Sequence, residues 1–160
     1  MVVQINNEVM RKIPFLRGLD ETELAQVAYL CAERPYAVGE ICQVEGQSAN
    51  QVFFILEGRV GAVLRIPNIT YCSSEIILDT LRGGDVFGWS SLMRGTPWST
   101  LKVLEPTKVM AVNADALLNL CENNPRIGYV LMKNLASVIA SRLRRNRMST
   151  INALVAIKGI

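Results

Sequence analysis

The hydrophobic positions along the chain change period twice. Leu24, Val27, Ala28, Leu30 and Cys31 fall at helical spacing. Asp20 precedes them, with Glu23 three residues on, the pairing that caps a helix start. This predicts a helix over about 21–32. From residue 34 to 113 the apolar residues come in short alternating or β-branched runs, at 41–44, 51–56, 59–64, 75–81, 101–104 and 108–112. Turn residues separate them: Gly39-Glu40, Glu45-Gly46, Glu57-Gly58, Pro67-Asn68, Ser73-Ser74, Gly83-Gly84-Asp85 and Thr96-Pro97. Short strands with turns every 8–12 residues or so indicate an antiparallel sandwich or barrel. After Asn113 the helical period returns, first over 114–120 and then beyond Pro125 to about Arg147. There Ile127, Leu131, Leu135, Ile139 and Leu143 recur every four residues, with Val130 and Val138 beside them. Such an amphipathic helix packs against its own barrel, pairs with a second copy across the small Ala136 and Ala140, or does both. Residues 148–160 have room for a short helix or strand at most.

Composition narrows the class. At 160 residues and half apolar, the chain is read as one domain, 1–160, with a barrel at about 34–113, C-terminal helices at about 114–147 and a tail at 148–160. The four cysteines, Cys31, Cys42, Cys72 and Cys121, are scattered, and there is no histidine to complete a zinc site. They are read as free thiols in a reducing compartment. No stretch reaches the ~18 apolar residues of a membrane span, so a cytoplasmic protein without membrane contact is expected. Charge is divided unevenly: residues 1–125 carry ten basic and fourteen acidic side chains, 126–160 seven basic and none acidic. Arg142, Arg144, Arg145 and Arg147 cluster where a helix end at Arg147 would place cations at its carbonyl pole, or where an acidic partner or nucleic acid would bind. Without histidine, a close acid pair, a nucleophile elbow, a P-loop or a dinucleotide fingerprint, no enzyme is expected.

The turn residues carry more than topology. Ile13-Pro14-Phe15-Leu16-x-Gly18-Leu19, Gly39-Glu40-x-x-x-x-Glu45-Gly46, Phe53-x-Ile55-Leu56-Glu57-Gly58-x-Val60 and Leu81-x-x-Gly84-Asp85-x-Phe87-Gly88, in that order, resemble the cyclic-nucleotide-binding domain family over about residues 10–147. That family includes the sensor halves of catabolite-activator-like regulators. The resemblance implies a double-stranded β-helix (jelly-roll) barrel of about eight strands, an N-terminal helix, a short cassette helix and a long C-terminal helix. Gly46, Gly58 and Gly84 have a structural reason of their own, since tight turns need positive φ. Catabolite-activator-like regulators carry about 60–70 further residues with a helix-turn-helix. Only thirteen follow Arg147, so either the chain works alone as a sensor or it is a piece of a longer regulator, and nucleic acid is not an expected partner.

Residues 87–100 resemble the family's phosphate-binding cassette, in which the amides of a short helix meet a cyclic phosphate. Nucleotide-binding members place a glutamate after the cassette glycine for the ribose and an arginine after the Thr-Pro-like pair for the phosphate. Here Trp89 and Trp98 stand in those places, at intact spacing. An arginine–phosphate contact is worth about 1.5–3 kcal/mol and the glutamate a comparable amount, so affinity for cAMP is expected to fall by orders of magnitude. The two indoles serve as core or lid packing, or as an aromatic recognition site. Arg94 either restores part of the missing charge or stands in solvent. The candidate ligand-binding residues are Gly88, Trp89, Ser90, Ser91, Trp98, Ser99 and Thr100, with no catalytic or metal-ligating residue. The expected function is a regulatory ligand-sensing domain, homodimeric through the long helix, that does not bind cAMP in the usual way. A genuine cAMP or cGMP regulator, and a protein or nucleic-acid interaction module with a filled pocket, are the alternatives. No cofactor is assigned; a cyclic nucleotide or another small molecule is the candidate ligand.

Overall fold

The run at 51–56 is apolar at every position after the first because both of its faces are buried. In the computed structural model, which describes residues 7–66 and 74–158, these residues open a long central strand. Val52 and Phe54 point into a core under the helices, whereas Phe53 and Ile55 point into the barrel. The strand paired with it alternates in the same way, with Met110 and Val112 toward the helices and Val109 and Ala111 inward. Two hydrophobic clusters are thus built back to back from one pair of strands.

The chain begins with a short helix α1 (Asn7–Arg11), a 3-10 turn (Pro14–Leu16) and helix α2 (Glu21–Tyr29). Six strands follow: β1 (Cys31–Tyr36), β2 (Ile41–Gln43), β3 (Gln51–Ile66), β4 (Ser74–Arg82), β5 (Val86–Phe87) and β6 (Thr100–Asn113). A 3-10 helix (Trp89–Met93) lies between β5 and β6, and α3 (Ala114–Asn123) and α4 (Pro125–Lys158) complete the chain. The strands are antiparallel in the order β1-β6-β3-β4, with β2 added on β6 and β5 on β3. The expected jelly-roll with flanking helices is present, with six strands among the described residues rather than about eight.

The strand count differs because two pairs of the predicted runs each join into one strand, one of them across the expected turn at Glu57-Gly58. The runs at 51–56 and 59–64 form one strand, β3, and those at 101–104 and 108–112 form another, β6. At Glu57-Gly58 the register between them shifts without the chain reversing. Gly58 has φ +97° and lies so close to β6 that an added Cβ would stand 2.4 Å from the Pro106 carbonyl oxygen. Buried Thr107 accepts from the Arg59 amide at 3.1 Å and donates to the Glu105 carbonyl at 2.7 Å, which closes the irregularity. This is a bulge, which bends both strands so that the first half of β3 pairs with β5 and the second half with β4. The positive φ expected at Gly46, Gly58 and Gly84 is present at all three.

The capping box at Asp20 and Glu23 is formed. Helix α2 ends at Tyr29 rather than near residue 32, because the backbone from Cys31 onward pairs with β6, Cys31 opposite Val112. Helix α4 is seated by Ile127, Leu131 and Leu135, all buried, and by Asn134, whose amide donates to the Phe15 and Arg17 carbonyls at 2.8 Å each. At its start Arg126 pairs with buried Glu23. The expected separate tail does not exist: α4 runs 34 residues to Lys158, roughly 51 Å. Between Pro125 and Lys158 no proline and only Gly128 interrupts the helix formers, so nothing ends it. The arginines at 142–147 therefore lie in mid-helix, and the helix-end account of their clustering fails. Cys31, Cys42 and Cys121 are free thiols; Cys72, Pro67-Asn68 and Ser73 lie outside the described residues. Among the described residues no helix is long and apolar enough to cross a membrane.

Candidate functional site

Strand β5 is only two residues long because Gly88 turns the chain out of the sheet. Its φ is +76°, and a Cβ there would lie 2.3 Å from the Gln51 carbonyl oxygen, so both conformation and contact require glycine. One turn of 3-10 helix follows, closed by the Ser91 amide on the Gly88 carbonyl at 3.1 Å and the Gly95 amide on the Ser90 carbonyl at 3.0 Å. Arg94, in the left-handed region at φ 52°, ends it. The return into β6 is stitched to the loop around Gly46. Pro97 accepts from the Gly46 amide at 2.9 Å, Ser99 from the Gln43 side-chain amide at 3.0 Å, and the Thr100 hydroxyl from the Glu45 amide at 3.1 Å.

Between this cassette, β4 and α4 lies a cavity of about 450 Å³. Of the candidate residues, Gly88, Trp89, Ser90, Trp98 and Ser99 line it. Ser91 and Thr100 do not: the Ser91 hydroxyl is turned to the Gln51 carbonyl at 3.4 Å, and the Thr100 hydroxyl is held by Glu45. Arg94 is exposed and away from the cavity, so it restores no charge there. The two indoles meet edge to face, ring centroids 6.0 Å apart at 75°. Trp89 is half-buried and Trp98 is 79% exposed. Trp98 is therefore no core residue; it stands at the cavity mouth.

Both charged residues of the cavity were missed in the sequence. Arg142 of α4 and Asp79 of β4 both line it. The Arg142 guanidinium donates to the Val86 carbonyl. Burial pushes its pKa down, while the charges of Asp85 and Asp79 push it back up and that of Arg145 lowers it further. Asp79 pairs instead with Arg145 at 3.3 Å and accepts from the Thr80 amide at 2.9 Å. At the cavity's edge Gln43 Oε1 is buried without a hydrogen-bond partner. A signal for Arg142 existed in the sequence: it falls three residues after Ile139 and one before Leu143, on the apolar stripe, where a solvated arginine has no place. Among the described residues no cluster of histidine, cysteine or carboxylates is arranged to hold a metal.

Comparison with known proteins gives this arrangement its setting. The family model described as cyclic nucleotide-binding domain matches residues 33–124. A glutaminase 2 of Bradyrhizobium diazoefficiens is 27% identical over 128 residues, which are 80% of this chain and 19% of that protein. A CRP-like cAMP-activated global transcriptional regulator of Mycobacterium tuberculosis is 22% identical over 140 residues, 87% of this chain and 59% of that one. The chain thus spans about a fifth of the glutaminase and about three fifths of the regulator. The crystal structure of a cyclic nucleotide-binding domain from Methylobacillus flagellatus KT superposes with a TM-score of 0.79 at 18% identity, covering 92% of this chain and 85% of that one. With the motif order, the barrel and the cassette turn in agreement, the chain belongs to the cyclic nucleotide-binding domain family.

Proposed function

We infer that the chain is a regulatory, non-catalytic sensing domain whose cavity beneath residues 88–93 takes a small ligand without the sugar-phosphate grip of its family. The observation that carries this reading is the indole pair. Trp89 and Trp98 stand edge to face beside an open cavity of about 450 Å³. They occupy the two positions at which the family's pattern calls for a carboxylate and a guanidinium. Pockets of roughly 300–1,000 Å³ are the size small ligands occupy, and a mouth framed by aromatic rings suits a flat ligand better than a ribose phosphate. The ligand's effect leaves through α4, because Ile139, Arg142, Leu143 and Asn146 form one wall of the cavity. A ligand that prefers one placement of that wall shifts the helix between its positions. Beyond the barrel α4 exposes Met148, Ile151 and Val155 at alternating spacings of three and four, the spacing with which one helix meets another. A second copy of the chain is the proposed partner of that face. The arginine cluster supports nucleic-acid binding less well, since Arg142 and Arg145 are both engaged on the barrel.

The chain's only two tryptophans are Trp89 and Trp98, so its tryptophan emission reports this site alone. Titration with cAMP, cGMP and a panel of aromatic metabolites is expected to shift that emission for aromatic compounds and leave it flat for both cyclic nucleotides. A flat response to every compound would favour a scaffold without a ligand.

A further inference from the structure

We propose that helix α4 supplies the anion anchor that the cassette has lost: Arg142 binds the acidic group of a flat aromatic monoanion whose ring lies against Trp89 and Trp98. The proposal rests on the sensing role inferred above and names the ligand class for that same cavity.

Four observations converge on it. First, among the described residues lining the cavity, Arg142 is the one cation. Second, its donors are underused. A guanidinium carries five N–H groups in a rigid fork suited to a carboxylate. Among the described residues Arg142 gives only to the Val86 carbonyl, whereas the nearby carboxylate of Asp79 is taken by Arg145. Among the described residues no carboxylate lies within salt-bridge distance of this partly buried guanidinium, so Asp85 and Asp79 offset its burial only from farther away. Third, most of the remaining lining is apolar or aromatic, with Leu78, Leu81, Phe87 and Leu101 beside the two indoles. They favour a ring over a sugar. Fourth, Asp79 also faces the cavity. A second negative charge on the ligand would stand near its carboxylate, which selects a monoanion over a dianion. Gln43 Oε1, buried and unpartnered at the edge, adds an acceptor for a ligand N–H or O–H. The anchor also gives a route to α4. An acid that takes over the Arg142 fork competes with the Val86 carbonyl and so loosens one of the ties between this helix and β5.

The test is calorimetric titration with indole-3-carboxylate and its neutral isostere indole-3-carboxamide. The wild-type chain is expected to bind the acid about tenfold or more tightly than the amide, the range for a charge-assisted contact. Arg142→Gln should abolish that preference, Arg142→Lys should keep part of it, and Arg144→Gln, at an exposed arginine outside the cavity, should keep all of it. Thermal melts of the same variants show that they fold. Equal affinity for acid and amide, or an unchanged preference in Arg142→Gln, overturns the anchor. If both probes bind equally and Trp89→Leu abolishes both, the sensing cavity stands while the anion anchor falls. If neither probe nor cAMP binds, both readings fall.

Discussion

Replacing Gly88 by alanine tests whether the cassette turn is held as described, and Gly39→Ala is its matched control. Both glycines lie in the left-handed region, at φ +76° and +88°. A residue with a Cβ pays about 1–2 kcal/mol for that conformation. At Gly39 nothing lies within 4 Å of the added carbon, so conformational strain is the whole cost. At Gly88 the carbon would stand 2.3 Å from the Gln51 carbonyl oxygen and 3.2 Å from the Phe53 ring. The ring can shift, but the carbonyl belongs to a strand paired on both sides. Overpacking of this kind adds about 1–3 kcal/mol. For a chain of this size each kcal/mol lowers the melting temperature by about 2–4 °C. Gly88→Ala should therefore melt about 2–12 °C below Gly39→Ala when both are followed by circular dichroism. Its tryptophan emission should also move, since the substitution displaces Trp89. Equal melting temperatures, or a lower one for Gly39→Ala, would refute the close approach of the cassette turn to β3.

Glu23 is held below the usual carboxylate range, first by its bond to Arg126 and then by the Asp20 amide. Its contribution to stability is thus complete above the unfolded value of about 4.3 and is lost as pH falls through the lowered folded value. Urea melts should show Glu23→Gln less stable than wild type at pH 7, with the gap narrowing below about pH 4. Burial pushes the Cys31 and Cys42 thiols up to about 12, so at pH 8 both should resist a thiol reagent until guanidinium unfolds the chain. Sedimentation velocity should show a dimer for the wild-type chain and a monomer for Ile151→Asp with Val155→Asp, because a charge in the contact face of a paired helix is not tolerated.

What the sequence made legible was whatever local chemistry decides alone. Asp20 and Glu23 specify a helix start through two hydrogen bonds between near neighbours, and that start was readable to the residue. The end of the same helix was not. Leu30 and Cys31 continue the apolar spacing, and only the pairing of Cys31 with Val112, eighty-one residues away in sequence, stops the helix. Glu57-Gly58 shows a related limit: a glycine with positive φ serves a turn and a bulge equally well, and the choice belongs to the facing strand at Pro106 and Thr107. The long C-terminal helix was foreshortened because the arginine cluster at 142–147 interrupts the apolar stripe and looks like an end, although Met148, Ile151 and Val155 resume the helical spacing and no breaker lies between. At the site, the motif spacing located Gly88, Trp89, Ser90, Trp98 and Ser99 at one cavity. The direction of the Ser91 and Thr100 hydroxyls depends on Gln51 and Glu45, which spacing cannot reveal. Arg142 was missed for a different reason: in a cluster of four arginines its charge looks like solvation, and its place on the apolar stripe, between Ile139 and Leu143, was the one sequence sign that set it apart from Arg144 and Arg147.

The most direct test of the account restores what the cassette lacks. Calorimetry with cAMP should give no measurable uptake at micromolar concentration for the wild-type chain. Trp89→Glu combined with Trp98→Arg should bind it roughly two to four orders of magnitude more tightly, the worth of two charge-assisted contacts. Micromolar binding of cAMP by the wild-type chain would contradict the claim that two indoles have displaced the sugar-phosphate grip.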